Sequence, residues 1–334
     1  MTIRLIRASA PASPARVQGA TAAATPLRVA LIQHAWTADT ARLMTALNAA
    51  ISVAAEAGAV IVCLPEITLS RYPADTLPRG TASALAEDLR TGATFAFAAD
   101  AARRTGMFVH TSLYRLADGP DPLGFNTAIV VSPAGELVAA TNKLHIPVTA
   151  GYYEDQYFHP GPASPGALGA GLLAGNPYPV YAFDGMEGAR LGLPTCWDEW
   201  FPEVARAYSL GGANVVVYPT AIGSEPDHPE FDTMPLWRQV IVGNGIANGL
   251  FMIVPNRTGT ETRPDGSTGN TFYGSSFISD PYGRILVEAP RDEECVLVAD
   301  LDLVQCDDWL ALFPFLATRR PDTYGILTAP VVVS

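Results

Sequence analysis

The sequence predicts a single α/β domain, and three observations carry this. Short apolar runs alternate with longer amphipathic stretches along most of the chain, the pattern of strands and helices packed on one another. Several short runs, such as 59–64 and 214–218, are apolar at nearly every position, as expected of strands covered on both faces. Of the 334 residues, 49% are hydrophobic and 16% charged, which allows a substantial core.

The elements follow in order. Residues 1–26 are rich in Ala, Ser, Pro and Arg and lack an apolar stretch of signal-peptide length, so they read as a disordered arm. Residues 27–32 form a strand. Residues 41–58 form a helix, with Leu43, Leu47 and Ile51 on one stripe and Gly58 as its stop. The strand 59–64 leads through Pro65 to Glu66. A second helix spans 83–105 and ends at Gly106. Strands follow at 107–114, 127–132 and 137–142, the last two joined by a turn at Pro133-Ala134-Gly135. Residues 161–179 are dominated by Gly, Ala and Pro and read as a passive surface loop. Residues 189–193 form a strand, and 203–210 a helix with Val204, Ala207 and Tyr208 at helical spacing. Pro202 suits its first turn, where a missing N–H costs little. A strand at 214–218 precedes a helix at 235–249, weakened by Gly243 and Gly245. Strands at 250–255, 275–279, 285–288 and 296–301 complete the series. There is no internal repeat.

Bulk properties exclude some functions. No run of 18 apolar residues occurs, so a transmembrane helix is not expected. A net charge of −12 argues against a nucleic-acid partner and is compatible with a cationic small substrate. The cysteines are Cys63, Cys196, Cys295 and Cys306. None forms a C-x-x-C pair, and no Cys/His spacing suggests a metal. Cys63 and Cys295 lie inside apolar strands and read as core.

Cys196 is different. It sits in Leu193-Pro194-Thr195-Cys196-Trp197-Asp198-Glu199-Trp200-Phe201-Pro202-Glu203, between a strand and a helix. A thiol at such a turn is exposed at the strand's end near backbone N–H donors, which favour the thiolate. Two other apolar strands deliver charged groups. Val60-Ile61-Val62-Cys63-Leu64-Pro65-Glu66 ends in a carboxylate, and the strand pair beginning at Asn126 leads to Asn142-Lys143-Leu144-His145-Ile146-Pro147.

Glu66, Lys143 and Cys196, in that chain order and each at a strand's end, resemble the nitrilase superfamily of carbon–nitrogen hydrolases. The likeness spans about residues 27–325, leaving 326–334 as a tail. Gly151-Tyr152-Tyr153-Glu154, Tyr157-Phe158-His159-Pro160-Gly161 and Tyr218-Pro219-Thr220-Ala221-Ile222-Gly223-Ser224-Glu225-Pro226 look like its N-carbamoylputrescine amidase branch. Phe272-Tyr273-Gly274-Ser275-Ser276-Phe277 is closer to β-ureidopropionases. Pro235-Leu236-Trp237 and Gly243-Asn244-Gly245 depart from the first branch.

The resemblance implies a four-layer α-β-β-α sandwich that associates through helical faces into a homodimer or larger homo-oligomer. It implies Cys196 as nucleophile, Glu66 as general base and acid, and Lys143 as the positive charge facing the oxyanion. Glu154 orients the lysine, and the Trp197 N–H adds a second oxyanion donor. No metal or organic cofactor is needed. His145 and His159 fall in segments this likeness explains, so neither is expected to be catalytic.

The substrate implied is an N-carbamoyl amine, with an N-carbamoyl amino acid, an ω-amide or a nitrile as alternatives. A non-catalytic interaction protein on the same fold is the remote one. Tyr153 and Trp197 are candidate substrate contacts. Glu225, Asp227, Glu230 and Asp232 offer carboxylates for a cationic tail, while Arg238 or Arg257 offers a guanidinium for an anionic one. A reactive thiol suits a reducing compartment, hence a cytoplasmic protein with no membrane partner.

Overall fold

A computed structural model describes residues 3–16, 25–164 and 176–329. Its elements run in chain order as β1 (Arg4–Ala8), β2 (Leu27–Gln33), α1 (Thr40–Glu56), β3 (Ile61–Cys63), α2 (Ala93–Thr105), β4 (Phe108–Leu116), β5 (Gly124–Val131) and β6 (Leu137–Asn142). Then come β7 (Val148–Thr149), β8 (Tyr152–Tyr153), β9 (Val180–Ala182), β10 (Arg190–Gly192), α3 (Pro202–Leu210), β11 (Val215–Val217) and α4 (Met234–Asn248). Last are β12 (Phe251–Val254), β13 (Thr258–Thr262), β14 (Thr268–Tyr273), β15 (Phe277–Ser279), β16 (Ile285–Glu288), β17 (Cys295–Leu301) and α5 (Val304–Leu312).

Two sheets form the centre. One has seven strands in the order β1-β17-β2-β3-β4-β5-β6, the other six in the order β16-β15-β12-β11-β10-β9. Alternate residues of facing strands, among them Leu27, Val29 and Leu31 with Cys63, Leu191, Val215 and Phe251, fill the space between the sheets. The opposite face of the first sheet packs on α1 and α2 through Leu43, Leu47, Ile51 and Phe97. The outer face of the second packs on α3 and α4 through Val204, Tyr208, Trp237 and Ile241. This is the expected α-β-β-α sandwich.

Where the apolar pattern was strong, boundaries moved by one to three residues. The Pro133-Ala134-Gly135 turn joins β5 and β6, with Gly135 at φ 78°, where glycine is unstrained. Gly106 and Gly249 end α2 and α4 in the left-handed conformation.

Two expectations are corrected. The second helix begins at Ala93, not at 83, because polar side chains divert the backbone before it. Asp88 accepts from the N–H groups of Arg90 and Thr91, and Glu87 accepts from the N–H and hydroxyl of Thr94. The main chain of Glu87 meanwhile pairs with β4 at Arg115. The described part of the arm is also ordered. Arg4 to Ala8 run parallel to β17 as an edge strand. Arg16 donates to Asp302 at 2.7 Å and Asp308 at 3.0 Å. Residues 17–24 of the arm, 165–175 of the Gly/Ala/Pro-rich loop and 330–334 of the tail lie outside the described residues. Cys63 and Cys295 are buried core residues. Among the described residues no helix is long and apolar enough to cross a membrane.

Candidate active site

The strands β2, β3 and β4 run parallel, as do β10, β11 and β12. Their carboxyl ends carry the chemistry, as α/β architecture favours. Glu66 follows β3, Lys143 follows β6 and Cys196 follows β10. The Cys196 N–H donates to the Pro219 carbonyl after β11 at 3.1 Å, and the Glu66 N–H reaches the Thr220 carbonyl at 3.4 Å. Loops from both sheets thus meet at one place.

Cys196 has φ 42°, a left-handed conformation that is strained for a side-chain-bearing residue. It opens a short 3₁₀ turn, Cys196–Trp200, which leads into α3 at Pro202. The Cys196 N–H is taken by the Pro219 carbonyl and the Asp198 N–H by that of Thr195, while the Trp197 N–H, in the turn's first residues, has no partner within the turn. Asp198, two residues on, is fully buried and ties this turn to the lysine loop. Its carboxylate accepts from the N–H groups of Thr195, Leu144 and His145, and from His145 Nδ1 at 2.7 Å.

Lys143 is fully buried. Its Nζ donates to Glu66 Oε1 at 3.0 Å and to both oxygens of Glu154 at 2.8 and 2.7 Å. Asn126 Nδ2 donates to the same Glu66 oxygen at 2.6 Å, and Tyr72 Oη donates to Glu154 Oε1 at 2.7 Å. Glu66 Oε2 is buried with no protein partner, so one lone-pair site of this carboxylate is unengaged.

The electrostatics follow from this crowding. Burial pulls the Lys143 ammonium down, but the carboxylates of Glu154 and Glu66 outweigh it and hold its pKa well above the ordinary value. Burial pushes Glu154 up to about 7 against the pull of Lys143, and the charge of Glu66 adds to the push. Burial also pushes the Cys196 thiol well above its usual range. Glu66 reinforces that, and Lys143 opposes it. The thiol form is therefore favoured, with a carboxylate at hand to take its proton.

A cavity of about 400 Å³, open solvent at its mouth included, reaches Cys196. Its wall includes Tyr72, Tyr152, Glu154, Trp197, Ile222 and Glu225. Among the described residues lining it there is no arginine or lysine.

The candidates for the substrate's tail sit in different surroundings. Tyr153 does not line the cavity; Tyr152 does, because alternation along β8 sends the two rings to opposite faces. Of the four carboxylates proposed for a cationic tail, only Glu225 lines it. Asp227 and Glu230 are exposed, and Asp232 pairs with Arg291 at 2.7 Å. Arg238 pairs with Glu288 at 2.8 Å. Arg257 is fully buried and its donors are spent on protein. They reach the carbonyls of Glu66 (3.1 and 2.9 Å), Ile67 and Ser70 (2.7 Å), and the Glu261 carboxylate. His145 stacks on Phe201 with centroids 3.8 Å apart, and His159 pairs with Asp121. Tyr72, Asn126, Asp198 and Tyr152 escaped sequence reasoning. Tyr72 had a partial signal, an aromatic six residues beyond Glu66.

Fold and site together define a class of enzyme: a buried thiol beside a lysine and two carboxylates carries the parts needed to attack a carbon–nitrogen bond. Comparison with known proteins gives the family. The sequence profile described as carbon-nitrogen hydrolase matches residues 28–311. An N-carbamoylputrescine amidase of Solanum lycopersicum is 35% identical over 228 residues, covering 68% of this chain and 70% of that protein. A citrullinase of Francisella tularensis is 35% identical over 200 residues, covering 60% of this chain and 64% of that protein. The crystal structure of a carbon-nitrogen hydrolase from Helicobacter pylori G27 superposes with a TM-score of 0.79 at 29% identity. It covers 92% of this chain and 99% of that one. The chain belongs to the carbon-nitrogen hydrolase family and is a hydrolase acting on carbon–nitrogen bonds.

Proposed function

We propose that the protein is a thiol amidohydrolase that cleaves an N-carbamoyl amine to the free amine, carbon dioxide and ammonia. The observation that carries this is the ion-paired cluster of Glu66, Lys143 and Glu154 behind a small cavity lined by Cys196 and Glu154, with Glu66 Oε2 unengaged. The names of the relatives, N-carbamoylputrescine amidase and citrullinase, support the ureido group as the reacting end.

Glu66 takes the Cys196 proton as Sγ attacks the ureido carbon. Lys143 and the Trp197 N–H receive the negative charge on oxygen in the tetrahedral intermediate. The intermediate collapses by breaking the bond to the terminal nitrogen, which leaves as ammonia with the proton from Glu66. A carbamoyl thioester remains. Glu66 then draws a proton from water, whose oxygen attacks the same carbon. The C–S bond breaks, the thiol is restored, and the released carbamic acid separates into amine and carbon dioxide.

Glu225 supports a cationic tail. Burial raises its carboxyl above the ordinary range with only His228 opposing, and an ammonium against it would favour the charged form. Arg238 and Arg257, the candidates for an anionic tail, are engaged elsewhere. The protein functions without a cofactor and acts as a homo-oligomer in the cytoplasm on this reading.

The test is ammonia release from N-carbamoylputrescine, N-carbamoyl-β-alanine, an ω-amide and an aliphatic nitrile, with a Cys196→Ala control. Release from N-carbamoylputrescine, abolished in the control, is expected. Preference for the β-alanine derivative would overturn the cationic tail. Release unaffected by the Cys196→Ala change would overturn the thiol mechanism.

A further inference from the structure

Glu199 stands three residues after the nucleophile, in the same 3₁₀ turn, and its side chain is fully buried. Its partners are unusual for a carboxylate. Oε1 accepts from the indole Nε1 of Trp237 at 2.6 Å, and Oε2 has no partner. Its main-chain carbonyl accepts from Asn244 Nδ2 at 3.0 Å. Trp237 and Asn244 both belong to α4, so one residue fastens the nucleophile's turn to that helix at two points. Asn248 Nδ2 then donates to the Asn244 carbonyl at 2.8 Å, and Ser209 Oγ of α3 donates to the Asn248 carbonyl at 2.8 Å. The turn is thereby held against both outer helices.

Among the described residues no cationic nitrogen lies within ion-pair distance of Glu199. The titratable groups that face it are Glu66, Asp198, Lys143 and Cys196, with Tyr218 and Tyr273 beyond; α4 presents only neutral donors. The ammonium of Lys143 is already engaged by Glu66 and Glu154. An ionised carboxylate in such a place would be buried, uncompensated and close to other negative groups, which is strongly unfavourable. A protonated one costs little and keeps Oε1 as acceptor for the indole.

We propose that Glu199 is a positioning residue held as a neutral carboxylic acid, whose bridge to α4 fixes the turn that presents Cys196. The proposal rests on the thiol mechanism above. Ionising Glu199 would set a like charge beside both Glu66 and the forming Cys196 thiolate. Thiolate formation, and the rate with it, should then fall at alkaline pH.

The test compares wild type with Glu199→Gln and Glu199→Ala. The readouts are kcat and KM for ammonia release, and the rate of Cys196 alkylation by iodoacetamide, each as a function of pH. Glutamine keeps the volume and the Oε1 acceptor but cannot ionise. It should retain kcat within roughly threefold at neutral pH and lack the alkaline decline of wild type in both readouts. Alanine cuts the bridge, and should lower kcat by roughly tenfold or more with little change in KM. Should the alanine variant fail to fold, the pH comparison between wild type and the glutamine variant decides. An alanine variant with unchanged kcat would overturn the positioning role. A glutamine variant as damaged as the alanine variant would overturn neutrality, because the carboxyl itself would then be needed. Identical alkaline profiles in wild type and the glutamine variant would overturn it too. Alkylation reads the turn without substrate, so an inactive substrate panel would count against the proposed reaction and leave this test standing.

Discussion

At the scale of residues, the site is a problem of one cation among several acids. Lys143 contacts two carboxylates, and no second cation among the described residues joins them. Two buried carboxylates against one ammonium leave a negative charge in excess, so one acid rises towards neutrality. Glu154 is that acid, pushed up to about 7 by burial despite Lys143. Its ionised form grips both the ammonium and the Tyr72 hydroxyl, so kcat/KM should rise with pH through about 7. In Glu154→Gln this step should vanish from a much lower residual rate; a pH–rate profile of both proteins measures it. Persistence of the step in the variant would move the assignment to another group. Stability runs the other way. The folded value lies above that of the unfolded chain, so folding favours the protonated form. Glu154's contribution is fully present below the unfolded value near 4.5 and is lost as pH rises through about 7.

Glu66, Lys143 and Cys196 were legible because each follows an apolar strand. Tyr72, Asn126 and Asp198 were not. Their partners lie 82, 60 and 53 residues away, and no local pattern encodes such pairings.

At the scale of elements, the loop after β3 shows how a conformation is imposed on the carboxylate proposed as the base. Ile67 has φ 47°, unfavourable for a β-branched residue, directly after Glu66. The Arg257 guanidinium holds this loop by donating to the carbonyls of Glu66, Ile67 and Ser70. Glu261, which pairs with Arg257, also accepts from the Tyr72 N–H at 3.0 Å. One arginine thus braces both the Glu66 loop and the tyrosine that contacts Glu154. A lysine has one nitrogen and cannot span these acceptors. Arg257→Lys should lose about 3 kcal/mol of stability, by urea unfolding, because buried carbonyls lose their donors. It should lower kcat more than it raises KM. A variant with wild-type stability and kcat would show that the brace is dispensable.

Strand and helix legibility followed side-chain periodicity. β13 and β14 form a hairpin built largely of threonine and glycine, with no apolar alternation to announce it. α5 is short, and only Gln305 and Cys306 are buried in it, so no apolar stripe marks it. The polar approach to α2 was misread for the opposite reason: Ala, Leu and Glu favour helix, but Asp88 and Glu87 bond the backbone into a turn.

At the scale of the whole molecule, the two-sheet stack was implied by the family likeness, and periodicity alone could not pair the strands. The clearest lesson concerns β1. Its composition suggested disorder, yet Ile3 and Leu5 pack against the cluster under α1 while Ile6 and Ala8 face the layer between the sheets. Both faces of this half-buried edge strand carry apolar residues, so no simple apolar–polar alternation announces it. Its value is in covering the main chain of β17, with which it pairs over five residues. Deleting residues 1–9 would uncover those backbone groups and the adjoining apolar surface, a template for pairing with another chain. The Arg4–Glu293 ion pair lost with it is exposed and contributes little. Loss of the four side chains should cost on the order of 2–4 kcal/mol. That corresponds to a fall of roughly 3–6 °C in Tm for a chain of this size. Thermal unfolding and light scattering on the truncated protein measure both effects. An unchanged Tm with no added association would mean that β17 is a self-sufficient edge and that β1 merely rests on it.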